Sequence, residues 1–144
     1  MANVEHSIWI SRAVEEVFAY VVDPNKIAEW AGPVVRAKKI SAGPVGLGTT
    51  STRVTQFLGR TMEATYEITE YEPNRLYGDK TTSGPVAINT RILFSAGDGG
   101  AKVTVHGEIE ANGFFKLAEP ILSRMSSWQL ETDLQTLKDL LEAR

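Results

Sequence analysis

The chain contains no cysteine among its 144 residues. Disulfides, thiol nucleophiles, iron–sulfur clusters and thiolate zinc sites are thereby excluded together. It also lacks any apolar run approaching the ~20 residues a membrane-spanning helix needs, so stable membrane insertion is not expected. No basic run precedes an apolar stretch in the opening MANVEHSIWI. A secretory signal is therefore not visible, and a cytoplasmic protein is expected. Positive charge is sparse: the net charge is −3, and only Arg36, Lys38 and Lys39 cluster, on what reads as a solvated strand end. Nucleic acid is not an expected partner. Only two histidines are present, His6 and His106, and alternation puts them on different strand faces. No metal site and no cofactor are expected.

What is present is ordinary for a globular chain: 42% hydrophobic and 23% charged residues. A single domain over residues 1–144 can bury roughly 70% of its unfolded surface. Val4 to Ile10 alternate apolar and polar, the period of a half-buried strand. Ser11 is a good helix N-cap, and Ala13 to Val22 carry Val14, Val17, Phe18 and Val21 on one stripe. Asp23-Pro24 predicts a second short helix, with Asp23 as cap and Pro24 at its first position, carrying Ile27 and Trp30.

Strand-like segments follow at Val34 to Ile40, Thr49 to Phe57, Thr61 to Tyr71, Leu76 to Thr81, Val86 to Phe94 and Lys102 to Ala111. Turn signals at Gly59-Arg60, Pro73-Asn74, Ser83-Gly84-Pro85 and Gly97-Asp98-Gly99-Gly100 separate the later ones. The glycines at 43, 46 and 48 are not a phosphate loop. No Lys-Ser or Lys-Thr follows, and the next segment is strand-like, so a bulged hairpin loop is expected. One long helix, Phe114 to Glu142, closes the chain. The class is α+β, and a curved sheet closed by a helix leaves room for a cavity.

Several phrases, in this order, are similar to a known superfamily. Ser11-Arg12-Ala13-Val14-Glu15-Glu16-Val17-Phe18 looks like its entry to the first helix. Asp23-Pro24-Asn25-Lys26-Ile27-Ala28-Glu29-Trp30 is similar to its second helix. Val45-Gly46-Leu47-Gly48-Thr49, Thr69 to Leu76 and Gly99 to Thr104 resemble its loops and turns, and Leu134 to Lys138 its helix end. Over essentially the whole chain the sequence resembles the START-like, or SRPBCC, helix-grip superfamily, of the polyketide cyclase/dehydrase and lipid-transport type. The resemblance implies a curved antiparallel sheet of about seven strands wrapped around the C-terminal helix, with two short helices after the first strand. It implies a hydrophobic cavity between sheet and helix, with Trp30 beside its mouth. It carries over no catalytic motif, because members include carriers, aromatase/cyclases and receptors.

Alternation anchored on Ile8, Ile10, Ile68, Phe94, Val103 and Val105 as inward turns Tyr66, Ile88, Thr90 and Ile92 in as well. Glu63, Glu67, Arg91, His106, Glu108 and Glu110 then point out. If Phe57 is inward, so are Ser51, Arg53 and Thr55. Arg53 would then be a buried guanidinium that needs an anionic partner; otherwise it is a surface arginine in a bulged strand. His6 reads as a satisfied core or rim histidine.

On the last helix Leu130, Leu134, Leu137 and Leu141 form a stripe that continues backwards as Ser123, Ser126 and Ser127. Leu117, Ile121, Met125 and Trp128 lie opposite. Either the serines roof a cavity and the large residues face a partner subunit or a membrane surface, or a bend at Pro120 or the serine pair turns the large residues inward. The expected cavity set is Trp30 on the second helix and Arg53, Phe57, Tyr66, Thr90 and Ile92 on the strands. Phe114, Ser123, Ser127 and Leu130 complete it from the last helix.

Three functions fit these features. The first is binding or transport of a hydrophobic small molecule (a lipid, polyketide or isoprenoid). The second is an aromatase/cyclase-type enzyme with Arg53 or Tyr66 stabilising an enolate. The third is a protein-interaction module, homodimeric or otherwise, using Trp9 and the Leu117 to Trp128 face.

Overall fold

A computed structural model describes residues 2–57, 59–111, 114–117 and 119–144, without the side chains of residues 2, 57, 111, 114, 115 and 122. The chain runs β1 (Ala2–Ile10), α1 (Val14–Val21), α2 (Ile27–Trp30), β2 (Val34–Lys39), β3 (Thr50–Phe57) and β4 (Arg60–Glu72). It continues as β5 (Leu76–Ser83), β6 (Val86–Gly97), β7 (Gly100–Ala111), α3 (Phe114–Leu117) and α4 (Glu119–Glu142).

The strands form one seven-stranded sheet in the order β1-β7-β6-β5-β4-β3-β2, every neighbouring pair antiparallel. From β2 to β7 each strand pairs with the next, β2 to β3 across the loop 40–49 and the later ones across two or three residues, the meander that turn residues favour. Gly99 (φ +73°) and Asn74 (φ +65°) supply the left-handed backbone at two of these turns, where Gly and Asn are least strained. α1 and α2 carry the chain from β1 at one edge to β2 at the other. The sheet curls into a half-barrel around α4.

Bulges interrupt β2 between Val34 and Arg36, β5 between Thr81 and Ser83, and β4 between Ile68 and Glu70. The last of these resets the alternation of β4, so Tyr71 joins Ile68 on the core side. Its ring meets Phe18 of α1 edge-on at 5.4 Å, and Phe18 meets Phe94 at 5.0 Å. The core is the contact between the apolar stripe of α1 (Val14, Val17, Phe18, Val21), the concave sheet face and the Leu134–Leu137–Leu141 stripe of α4.

Three local expectations are corrected. Ser11 does not cap α1: Ala13 holds that position without a side-chain cap. Instead the Ser11 amide donates to Glu142 Oε2 at 2.8 Å, and the Arg12 guanidinium donates to the Glu142 carbonyl at 2.8 Å. A tether to the end of α4 overrides the local signal. Asp23-Pro24 opens a turn, not the helix: Asp23 Oδ1 accepts from the Asn25 amide, an Asx turn, and α2 starts at Ile27. The closing helix is two elements, with Pro120 in the first turn of α4, where its missing N–H costs nothing.

Leu137 is fully buried while Leu140 is 38% exposed on the same helix. Leu137→Ala should therefore lose about 2–5 kcal/mol in chemical denaturation, and Leu140→Ala under about 1 kcal/mol. Equal losses would show that this stripe does not anchor α4.

Candidate functional site

Between the sheet and the helices lies a cavity of about 190 Å³. Its floor is the inner face of β5, β6 and β7, with Tyr77, Thr90, Ile92, Val105 and Gly107. Its roof is the end of α1 and all of α2, through Val21, Val22, Ile27 and Trp30. Arg53 of β3 closes one side, and Leu130 and Asp133 of α4 another. Along β6 the inward residues change from buried Phe94 and Ile92 to half-buried Thr90 and Ile88. The core thus gives way to open space toward that end of the strand. Gly107 is the reason the floor is deep: between the inward side chains of Val105 and Ile109 it contributes none. A Cβ placed there would meet only Val4 Cγ2, at 3.2 Å.

A polar row crosses this apolar floor. The Arg53 side chain is 12% exposed and that of Asp79 2%, and Arg53 Nη2 donates to Asp79 Oδ2 at 2.7 Å. To reach β5 from β3, the guanidinium crosses β4, where its Cζ lies 3.9 Å from the Tyr66 ring centroid. Tyr77 Oη donates to the same Asp79 oxygen at 2.5 Å. Burial opposes charge on Arg53, yet the neighbouring Asp79 and tyrosines hold its pKa above arginine's ordinary value. Burial first, then the field of Asp79, pushes the Tyr77 hydroxyl well above the usual phenol range, so it acts as a donor. Such a pair is costly to break, because either ion alone would be buried without compensation.

Three fully buried side-chain atoms have no hydrogen-bond partner among the described residues: Trp30 Nε1, Arg53 Nε and Asp79 Oδ1. Asp133 contributes a second inward carboxylate. Its Oδ1 accepts from the Gly32 amide at 2.9 Å and from Gln129 Nε2 at 2.7 Å, tying the α2–β2 connection to α4. Burial raises its pKa above the ordinary 3.8, and the two hydrogen bonds only partly offset this.

Of the residues expected at a cavity, Trp30, Arg53, Thr90, Ile92 and Leu130 are brought together here. Tyr66 is not: it is buried beneath the guanidinium. Ser127 is engaged elsewhere, with its hydroxyl 2.9 Å from His6 Nε2, so this pair joins α4 to β1. Ser123 is half-buried and does not line the cavity. The side chains of Phe57 and Phe114 lie outside the described residues.

The bend alternative for α4 fails, since Leu117, Ile121, Met125 and Trp128 are 91%, 56%, 39% and 65% exposed. The large residues face outward, and none of the three serines lines the cavity; Ser127 meets His6 of β1 instead. Trp9 lies over Gly97 and Gly100, where an added Cβ would come within 2.9 Å of its ring, and stays 41% exposed. His106 lies on the outer face between Glu5 and Glu108, at 3.5 and 3.8 Å.

Tyr77, Asp79 and Asp133 are the residues that sequence reasoning passes over. A signal for Asp79 exists, because an aspartate in mid-strand is unfavourable without a partner. Asp133 sits at helical spacing within the Leu130–Leu134–Leu137 stripe, where a carboxylate is equally out of place.

The family described as polyketide cyclase/dehydrase and lipid transport matches residues 1–142. No curated protein is a significant match. Similar solved structures include a Thermus thermophilus protein with a TM-score of 0.82 at 16% identity, covering 95% of this chain and 94% of that one. A START superfamily protein from Mycobacterium smegmatis has a TM-score of 0.82 at 13% identity, covering 99% of each chain. An aromatase/cyclase from a Streptomyces species has a TM-score of 0.78 at 16% identity, covering 99% of this chain and 94% of that one. At these identities the structural likeness establishes the fold.

Two outcomes test the site's electrostatics. Asp79→Leu alone should cost about 3–5 kcal/mol in urea denaturation, because Arg53 is left buried and unpaired. Adding Arg53→Met should restore most of that loss; a double variant as unstable as the single one would refute the pairing. Asp133 has a raised folded pKa, so the unfolded chain releases this proton at lower pH than the native one. Stability should therefore fall as pH rises from about 3.8 through the raised value. Asp133→Asn, which keeps an Oδ1 acceptor, should flatten that part of the curve in thermal melts.

Proposed function

The chain belongs to the polyketide cyclase/dehydrase and lipid transport family, and we propose that within it this protein binds a compact apolar small molecule in the cavity beneath α2. The observation that carries this reading is the apolar lining opened by Gly107. At about 190 Å³ the cavity exceeds the ~150 Å³ engineered cavity that holds benzene. It suits a one- or two-ring molecule and is too small to enclose a long acyl chain. Burying ~200 Å² of apolar ligand surface is worth roughly 5 kcal/mol before the costs of association.

Carriage of such a molecule, such as a small isoprenoid or polyketide, needs nothing more than this lining. A cyclase would use the same space, but its two sequence candidates are committed elsewhere. One Arg53 nitrogen holds Asp79, and Tyr66 lies below the guanidinium. Binding is therefore the reading the geometry favours. Among the described residues no helix is long and apolar enough to cross a membrane.

Gly107→Leu places a side chain in the cavity with little backbone conflict. Titrated calorimetrically with 2-methylnaphthalene, the wild type should bind. The variant should bind at least about tenfold more weakly while its melting temperature is retained. Equal binding by both would place any apolar site elsewhere and end this proposal.

A further inference from the structure

Resting on the cavity reading above, we infer that the occupant is an apolar molecule carrying one protonated amine, and that the Asp133 carboxylate is the counter-ion that receives it. Asp133 carries a charge that the fold itself leaves unanswered.

Asp133 is only 8% exposed, in the middle of α4. Its Oδ1 accepts from the Gly32 amide and from Gln129 Nε2, both neutral donors. Its Oδ2 accepts nothing among the described residues. Unlike Asp79 Oδ1, that oxygen stays open to a water-sized group. Because Asp133 lines the cavity, a molecule held there can reach it.

No cation answers this charge. Among the described residues no basic side chain forms an ion pair with Asp133, and only burial and the two neutral donors move its pKa. Its mid-helix place also denies it the positive end of the helix dipole, whose effect fades beyond the first turn. Buried carboxylates are ordinarily paired. Nor does the link between α4 and the α2–β2 connection need the charge, since an asparagine would accept the same two hydrogen bonds through its Oδ1. What asparagine could not supply is an anionic acceptor at the open oxygen.

The rest of the lining agrees. Among the described residues it contains one cation, Arg53, and three carboxylates, those of Asp23, Asp79 and Asp133. Arg53 is held by Asp79, so two carboxylates remain without a cation in the lining. Such a field attracts a cation and repels an anion, more strongly in a space of low dielectric than in water. The guanidinium, which by residue type alone would suggest an anion site, is already neutralised. An ammonium group donates hydrogen bonds and accepts none, which matches an acceptor-only carboxylate, and the bond between two charged groups is among the stronger ones available. The apolar walls, Val21, Ile27, Ile92 and Leu130 among them, take the rest of the molecule. A hydrocarbon leaves Asp133 unanswered, and a carboxylate would add a like charge beside it.

The test compares three probes on one naphthalene frame: 2-naphthylmethylamine, 2-naphthalenemethanol and 2-methylnaphthalene. The alcohol places a neutral donor where the amine has its ammonium, so it separates charge from hydrogen bonding alone. By calorimetric titration at neutral pH, the amine should bind the wild type at least about tenfold more tightly than the alcohol. Gly107→Leu should weaken amine binding at least about tenfold; amine binding that survives it would lie outside the cavity and overturn the inference. Asp133→Asn keeps the Oδ1 acceptor, removes the charge and should erase the preference for amine over alcohol. That preference is a ratio within one variant, so a disturbed roof that weakens every probe would not imitate its loss. If 2-methylnaphthalene binds the wild type and is blocked by Gly107→Leu, the cavity reading stands. An amine without advantage over the alcohol, or an advantage that persists in Asp133→Asn, would then overturn this inference alone. Failure of all three probes to bind would overturn both.

Discussion

A single helix cannot cover the concave face of a seven-stranded sheet, and this mismatch governs the rest of the molecule. Seven strands spaced ~4.8 Å apart span nearly 30 Å, whereas a helix with its side chains is ~10–12 Å across. α4 resolves the conflict by anchoring beside β1. Leu134, Leu137 and Leu141 pack into the core, while His6–Ser127 and Lys138 to the Trp9 carbonyl tie it to the edge strand. The uncovered inner face of β5 to β7 is left for α1 and α2, and they reach across only part of it. The cavity is the remainder.

This geometry explains why the polar row lies where it does. An arginine on β3 and an aspartate on β5 are two strands apart, too far for adjacent cross-strand pairing. The long guanidinium side chain bridges them over a flat aromatic ring on β4. The result is an apolar floor with a neutralised ion pair set into it. One carboxylate oxygen faces neither the arginine nor the tyrosine that occupy its twin. Buried ion pairs seldom raise stability over a well-packed apolar alternative.

α2 covers part of the cavity through Ile27 and Trp30. It is a single turn of four residues, too short to be stable alone, and it is held from outside. Glu29 accepts from the Tyr20 hydroxyl at 2.6 Å, and Asp133 accepts from the Gly32 amide just past its end. Burial and Glu29 together push the Tyr20 hydroxyl to a pKa of about 12, so it remains a donor throughout the physiological range. The roof therefore depends on two side-chain hydrogen bonds rather than on its own helical propensity.

Much of the fold is legible in the sequence because it rests on local periodicity. Alternation along β1, β6 and β7 assigns the inward faces, and the 3.6-residue spacing of Val14, Val17, Phe18 and Val21 assigns the buried side of α1. The leucine stripe does the same for α4, and glycine, proline and asparagine mark the turns. These patterns, in this order, carried the helix-grip resemblance and placed Trp30, Thr90, Ile92 and Leu130 around one space. Local signals misled at Ser11, where a tether to Glu142 outweighs a capping preference worth about 1 kcal/mol, and at Asp23-Pro24, where Asp23 closes an Asx turn instead of capping a helix. Beyond these, the tertiary structure alone decided that Arg53 meets Asp79, 26 residues away, and that Tyr66 lies beneath the pair. It alone decided that Ser127 serves His6 and that Gly107 deepens the floor. Periodicity states which way a side chain points. Which partner it finds depends on strand order, bulges and the curl of the sheet, and only the folded chain brings those together.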